Sequence, residues 1–331
     1  MAKVSKIVYL FGAGATHAEF TNLYPNKSTD GNFLSKNSLL MADVSKRVCE
    51  GAKNNGSFPK KIAGLISPAG LSNIELFISL IENNEVRSEA TIEELKSLMK
   101  KDILNRLSKS RLKRFYLHKA LLEIHQRNYI EELLGVISLN YDRVLDEAYR
   151  AVGNTPNYCL HFDDHSGVPL LKLHGAFDLE YRGRKLPIIT PGINKNYLEL
   201  PYNFIWGRAL EILIDCDILR VIGCSLSQND VGLVDLLFKA HLARKDPFEV
   251  QMIAFDPKGN KIKEHFGFLP KIKTALELEG GIIADQTITD HSTGANPFRI
   301  WLKAKVEKLR AEKVLTDEEI KKSSFIKSVL K

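Results

Sequence analysis

Three apolar runs in this chain stop abruptly on polar or glycine-rich segments, and that pattern constrains the fold more than any other feature. Ile7-Val8-Tyr9-Leu10-Phe11 runs into Gly12-Ala13-Gly14-Ala15-Thr16. Gly135-Val136-Ile137-Ser138-Leu139 runs into Asn140-Tyr141-Asp142, and Leu170-Leu171-Lys172-Leu173 runs into His174-Gly175. Short unbroken apolar runs suit strands covered on both faces, as in a parallel sheet. Open α/β sheets bind ligands outside the carboxyl ends of their strands. Three such ends with a glycine turn, an Asn/Asp pair and a His predict a nucleotide site with chemistry attached.

Strand-like runs recur near Leu186–Thr190, Ile218–Gly223, Val250–Phe255 and Asp285–Ile288. Helical patterns fall between the runs, clearest over Asp142–Val152, Pro201–Ile214 and Val231–Ala243. This alternation predicts an α/β fold: a Rossmann-like, doubly wound parallel sheet. The segment from His17 to Gly70 is rich in Asn, Gly, Ser and Lys and reads as long loops, with a helix over Leu39–Cys49. Residues 71–132 then turn helical. Ser72 with Glu75 and Thr91 with Glu94 have capping-box spacing, and a third helix is expected over Leu112–Gln126. The block reads as an α-helical insertion within a domain spanning 1–297. A C-terminal helical tail follows over 298–331, with a last helix opening at Thr316.

No stretch approaches the roughly 20 apolar residues of a membrane span, and Met1 to Lys6 lacks the apolar core of a secretory signal. The expectation is a soluble, cytoplasmic protein. Cys49, Cys159, Cys216 and Cys224 form no C-x-x-C pair, so free buried thiols are expected and no metal. Net charge is +7, with a basic cluster from Lys100 to Arg114. Without interleaved aromatics the cluster reads as a solvated helix face rather than a nucleic-acid surface.

Gly12 and Gly14 match two positions of G-x-G-x-x-G, but His17 occupies the third. Gly12 would allow a tight turn, Gly14 a close approach to a pyrophosphate at a helix N-terminus, and Thr16 a hydroxyl to phosphate or ribose. Asn140 and Asp142 could each cap a helix, but one strand end does not need both for capping. His174 supplies an imidazole suited to taking a proton from water or a hydroxyl. Gly223, Cys224 and Ser225 follow a further strand and leave room for a ribose or phosphate. Asp256 could bond an adenosine ribose or simply open an Asp-Pro turn.

In order and kind, Gly12 to Thr16, Asn140-Tyr141-Asp142, Leu173-His174-Gly175 and Gly223-Cys224-Ser225 resemble the sirtuin-like superfamily. Sirtuins carry G-A-G, then T-Q-N-I-D, then H-G, then G-T-S. The resemblance spans residues 7 to 257. It departs after Thr16, where a G-I-P-D-F-R-like loop is replaced by His17-Ala18-Glu19-Phe20, and it lacks the paired cysteines of the sirtuin zinc module. It is therefore more similar to the zinc-less bacterial branch that acts in antiphage defence. That resemblance implies hydrolysis of NAD at the nicotinamide–ribose bond. Gly12, Ala13, Gly14, Ala15 and Thr16 would then hold the diphosphate, Asp142 the carboxamide, and Asn140 the ribose or the attacking water. His174 would be the general base, and Gly223, Cys224, Ser225 and Asp256 would bind the adenosine half. It implies control through a homo-oligomer or a partner such as a HerA-family ATPase; the amphipathic surplus of the insertion and of the tail, which could pack on the body or on another subunit, makes them the candidate contacts. The alternatives are an NAD-dependent deacylase or ADP-ribosyltransferase, a non-catalytic NAD or ADP-ribose sensor, and a nucleic-acid-binding module.

Overall fold

The computed structural model describes residues 4–27, 30–54, 73–82, 89–127, 130–164, 166–190, 197–224, 226, 230–254, 266–269, 271–274 and 296–331. Its centre is a six-stranded sheet of β1 (Ser5–Phe11), β2 (Glu131–Ser138), β3 (Leu170–Lys172), β6 (Ile218–Ile222), β7 (Glu249–Ile253) and β8 (Ile272–Thr274). The order is β3-β2-β1-β6-β7-β8, and every pairing is parallel. A small hairpin of β4 (Glu180–Tyr181) and β5 (Arg184–Lys185) stands apart. Setting the hairpin aside, the order is the 3-2-1-4-5-6 of a doubly wound dinucleotide fold. The winding reverses between β1 and β6, and such a switch point opens a crevice at the strands' carboxyl edge.

The sheet forms because its strands are apolar on both faces. Ile7 to Leu10 are all fully buried, and so are Val136, Ile137, Leu219, Val221 and Val250. One face packs on the helices Leu117–Arg127, Val144–Ala151 and Pro297–Ala311, the other on Tyr202–Asp215 and Val231–Leu242. The C-terminal tail belongs to the first of these layers. Phe298, Trp301, Val306, Ile320, Ile326 and Val329 are buried with β1, β2 and the helix Leu117–Arg127. Of the two surfaces open to the tail's amphipathic face, the body of this chain or another subunit, it is the body that these residues pack on.

A buried charge cluster fastens that tail. Arg220 on β6 donates to Glu131 at the start of β2 and lies over the Trp301 ring, and Lys305 donates to Glu131 at 2.8 Å. Burial alone would raise the Glu131 carboxyl's pKa, but Arg220 and Lys305 outweigh it and hold it well below the usual carboxylate range.

The insertion builds a third core. Helices Met41–Asn54, Ile74–Glu82 and Glu89–Arg106 bury Val44, Ile78, Leu95 and Met99 together with Tyr141, Val144, Phe177 and Ile188. Those last residues follow β2 and β3, so the inserted helices sit beside the sheet's carboxyl edge. Several sequence expectations shift here. His17 lies in the helix Ala13–Leu23, which continues straight from the glycine turn, and Gly31–Asn37 is also helical. Asn73, not Ser72, accepts the amides of Glu75 and Leu76; Ser72 lies outside the described residues. Thr91 is inside the helix Glu89–Arg106 rather than capping it. The single helix expected over Leu112–Gln126 is two, Lys109–Arg114 and Leu117–Arg127. Leu186–Thr190 is not a strand but an extended return beside His174, and the run Asp285–Ile288 lies outside the described residues. Strand β8, short and mixed in character, had no counterpart in the sequence reading.

Two members of the basic cluster, Lys100 and Arg106, are paired with acids of the same chain. Arg106 and Arg47 share Asp102, and Lys100 donates to Asp178 and to the Phe177 carbonyl. Among the described residues, no helix is long and apolar enough to cross a membrane, and no three His, Cys, Asp or Glu side chains are placed to hold a metal.

Candidate functional site

Register alone brings the candidate residues to one edge. Ser138 pairs with Lys172 and with Phe11, and Phe11 pairs with Ile222. The residues that follow these strand ends therefore emerge side by side: His174, Asn140, Gly12 and Gly223.

The glycines are needed where β1 and β6 end. The Gly12 amide donates to the Ile222 carbonyl at 3.1 Å and the Gly14 amide to the Gly223 carbonyl at 2.8 Å. A Cβ on Gly12 would lie 2.7 Å from Cys224 Cβ, and one on Gly14 would lie 2.7 Å from Gly223 O. Gly223 has φ +61°, and its Cβ would lie 2.0 Å from the Ala15 nitrogen. Two backbones touch at the switch point, which only glycine permits. The close approach that requires Gly14 in this fold is the one to Gly223. Cys224 packs against Gly12, and burial pushes its thiol up to about 12, so it stays protonated and unreactive. All four cysteines are free, and Cys159, Cys216 and Cys224 are buried.

Beside the turn, one hydroxyl joins two segments far apart in the chain. Asn140 Nδ2 donates to the Gly12 carbonyl and to Thr16 Oγ1, both at 3.0 Å, and Thr16 Oγ1 donates to Asp142 Oδ2 at 2.9 Å. The other Asp142 oxygen accepts the Val144 amide at 2.9 Å, at the start of the helix Val144–Ala151. Asp142 thus takes the first amide of that helix from the position before its N-cap, Arg143, while its second oxygen remains committed to the cluster. Lys172, fully buried, anchors this turn from below. Its Nζ donates to the Asp142 carbonyl at 2.5 Å and pairs with Asp146 at 3.1 Å, and Tyr158 donates to the same Asp146. Burial would raise the Asp146 carboxyl, but Lys172 and Tyr158 hold it below its ordinary value.

His174 lies one turn of chain beyond Lys172. Its ring is 2% exposed, 6.3 Å from the Tyr141 ring, and its Nε2 is 2.9 Å from Asp230 Oδ2. Asp230 also caps the helix Val231–Leu242 by accepting the Leu233 amide. The sequence reading passed over Asp230. Its one legible trace was its place before a helix in the segment after β6. Tyr141, between Asn140 and Asp142, donates to Glu75 at 2.7 Å and so ties the insertion to the site. Burial first, and then Glu75, push its phenol far above the usual range, so it stays a neutral donor. The Ile189 amide donates to the His174 carbonyl at 3.0 Å. Next to it, Thr190 Oγ1 is buried with no hydrogen-bond partner among the described residues.

Thr16, Asn140, Asp142, His174 and Asp230 are each at least 92% buried. Burying so many polar groups costs free energy unless each is bonded, and a plain strand-to-helix turn does not require it. Ser225 and Asp256 lie outside the described residues.

No protein-family model matches the chain, and no curated protein sequence does. A solved structure described as "Structural Basis for the Mechanism and Regulation of Sir2 Enzymes" aligns over 91% of this chain and 93% of its own, at 13% identity and a TM-score of 0.38. Likeness at that level carries no weight, and the fold class stands on the strand order and register above.

Proposed function

We propose that the chain is an NAD hydrolase that breaks the bond between nicotinamide and ribose. The observation that carries the proposal is the buried set at the switch-point edge: Thr16 bonded to both Asn140 and Asp142, with a carboxylate-held His174 on the adjoining strand end. Its support is twofold. The residues are those through which the sequence resembles the sirtuin-like superfamily, and their site is where doubly wound sheets bind dinucleotides.

The transition state of this cleavage is oxocarbenium-like, with positive charge growing on the ribose. The C1′–N bond breaks with its electron pair leaving on the nicotinamide ring nitrogen, water adds to C1′, and His174 takes the water's proton. The products are nicotinamide, ADP-ribose and a proton. Asn140 orients the water or the ribose hydroxyls, and Asp142 holds the carboxamide. Thr16 acts as the joint between them rather than as a phosphate ligand. Since the Gly12, Gly14 and Ala15 amides already donate within the protein, the start of the helix Ala13–Leu23 offers a diphosphate the amide of Ala13. By the resemblance, binding of the adenosine half falls to Gly223, Cys224, Ser225 and Asp256.

By the same resemblance, the reaction depletes NAD in antiphage defence. It stays silent until a homo-oligomer or a partner such as a HerA-family ATPase completes the active form. The test is the protein in its active assembly, with the partner's product added where needed, incubated with NAD alone and with an acylated peptide, and the nucleotides separated by chromatography. ADP-ribose and nicotinamide in equal amounts without peptide support hydrolysis. Nicotinamide released only with the peptide supports a deacylase instead, and NAD bound but never cleaved supports a sensor.

A further inference from the structure

We infer that Asp230 is the positioning residue that sets the orientation and tautomer of His174, making Nδ1 the basic nitrogen; this rests on the hydrolase reading for its catalytic part. Asp230 Oδ2 lies 2.9 Å from His174 Nε2, and both side chains are buried. A carboxylate oxygen is only an acceptor, so Nε2 carries the proton and donates it. In a neutral imidazole the second nitrogen then holds the lone pair. When Nδ1 takes a proton from water, the adjacent carboxylate stabilises the imidazolium, as in other His–Asp arrangements.

The carboxylate is itself held. Its other oxygen accepts the Leu233 amide at 3.3 Å as the cap of the helix Val231–Leu242. That helix is fixed to the sheet through Leu233, Leu236 and Leu237, all buried. On the His174 side, the backbone is bracketed by Lys172 below and by the Ile189 amide on the His174 carbonyl. Gly175 follows at φ +75°, where a side chain would run into the Tyr202 hydroxyl. The imidazole is thus clamped between elements that follow β3 and β6, on either side of the central strands. The clamp spans the crevice where the dinucleotide lies.

Asp230→Asn isolates the effect. Asparagine caps a helix as well as aspartate does, so its oxygen keeps the Leu233 amide. Its NH₂ then faces His174 Nε2, two donors meet, and the ring must move its proton to Nδ1. The experiment is ¹⁵N spectroscopy of histidine-labelled wild type and Asp230→Asn, with the His174 signals assigned by their loss in His174→Gln. Steady-state NAD cleavage is measured on the same proteins in their active assembly. The expected result is a proton on Nε2 in wild type and on Nδ1 in the variant. With it come a fall in kcat of about 10²–10⁴-fold, the usual worth of a general base, a KM little changed and a melting temperature close to wild type. If Asp230→Asn does not fold, Asp230→Ser keeps the cap and removes the carboxylate; its expected result is loss of the Nε2-protonated preference and the same fall in kcat. An unchanged tautomer, or an unchanged kcat, overturns the inference. Wild type that carries the Nε2 proton yet never cleaves NAD in its active assembly overturns the hydrolase reading, and the base role with it, while the Asp230-set tautomer stands.

Discussion

Replacing Gly223 by alanine tests whether the ends of β1 and β6 meet as described. Two costs add. At φ +61° an L side chain sits in the left-handed region, which costs about 1–2 kcal/mol. The new Cβ would also lie 2.0 Å from the Ala15 nitrogen and 2.4 Å from the Gly14 carbonyl carbon. Both are backbone atoms at the start of a helix and cannot swing aside. Overpacking of this kind costs about 1–3 kcal/mol more, for a total of about 2–5 kcal/mol. Gly153 is the control. It has φ +85° but nothing within 4 Å of its Cβ position, so Gly153→Ala carries only the conformational cost of about 1–2 kcal/mol. Urea unfolding followed by circular dichroism gives both values from the shift in midpoint at constant slope. Equal destabilisation by the two substitutions would mean that the backbones of residues 14–15 and 223 do not touch, and the closed switch point would have to be abandoned.

Further outcomes follow from the buried polar groups. Glu131 and Asp146 are held below their ordinary values in the fold, so the stability they contribute is present above about pH 4 and is lost as pH falls toward the folded values. With Trp206→Phe in the background, Trp301 fluorescence should report release of the C-terminal helix on acidification. In the Glu131→Gln variant the acid transition at Trp301 should be weaker, and an identical transition would remove Glu131 from the cause. Thr190→Val should leave stability unchanged or slightly higher, because the hydroxyl has no partner to lose. If that hydroxyl meets NAD, the same variant raises KM roughly 2- to 10-fold, the worth of one hydrogen bond; an unchanged KM would place it outside the substrate's reach.

The site was legible in the sequence where local patterning and function coincide. Ile7 to Phe11 and Val136 to Ser138 read as strands because both faces are covered, leaving continuous apolar runs. The polar residues at their ends stood out against those runs. The paired Asn140 and Asp142 were informative because capping needs only one of them, and Asp142 takes the Val144 amide at a helix start while Asn140 reaches across to Gly12. What was not legible depends on contacts between distant segments. Gly14 and Gly223 each suggest a turn, yet their requirement comes from each other across the switch point. Asp230 is an ordinary helix cap by sequence, and only its second oxygen, aimed at a histidine 56 positions earlier, separates it from any other. Leu186 to Thr190 has strand composition, but its amide at Ile189 is satisfied by the His174 carbonyl instead of a ladder. The C-terminal tail looked free for a partner because amphipathicity does not say which surface an apolar face will meet.

The most direct measurement of the central claim is the rate of nicotinamide release from NAD by wild type and by His174→Ala in its active assembly, each checked for native folding. The account predicts steady release by wild type and a loss of about 10²–10⁴-fold in the variant, with both proteins melting at similar temperatures. Release at the same rate in both would contradict it.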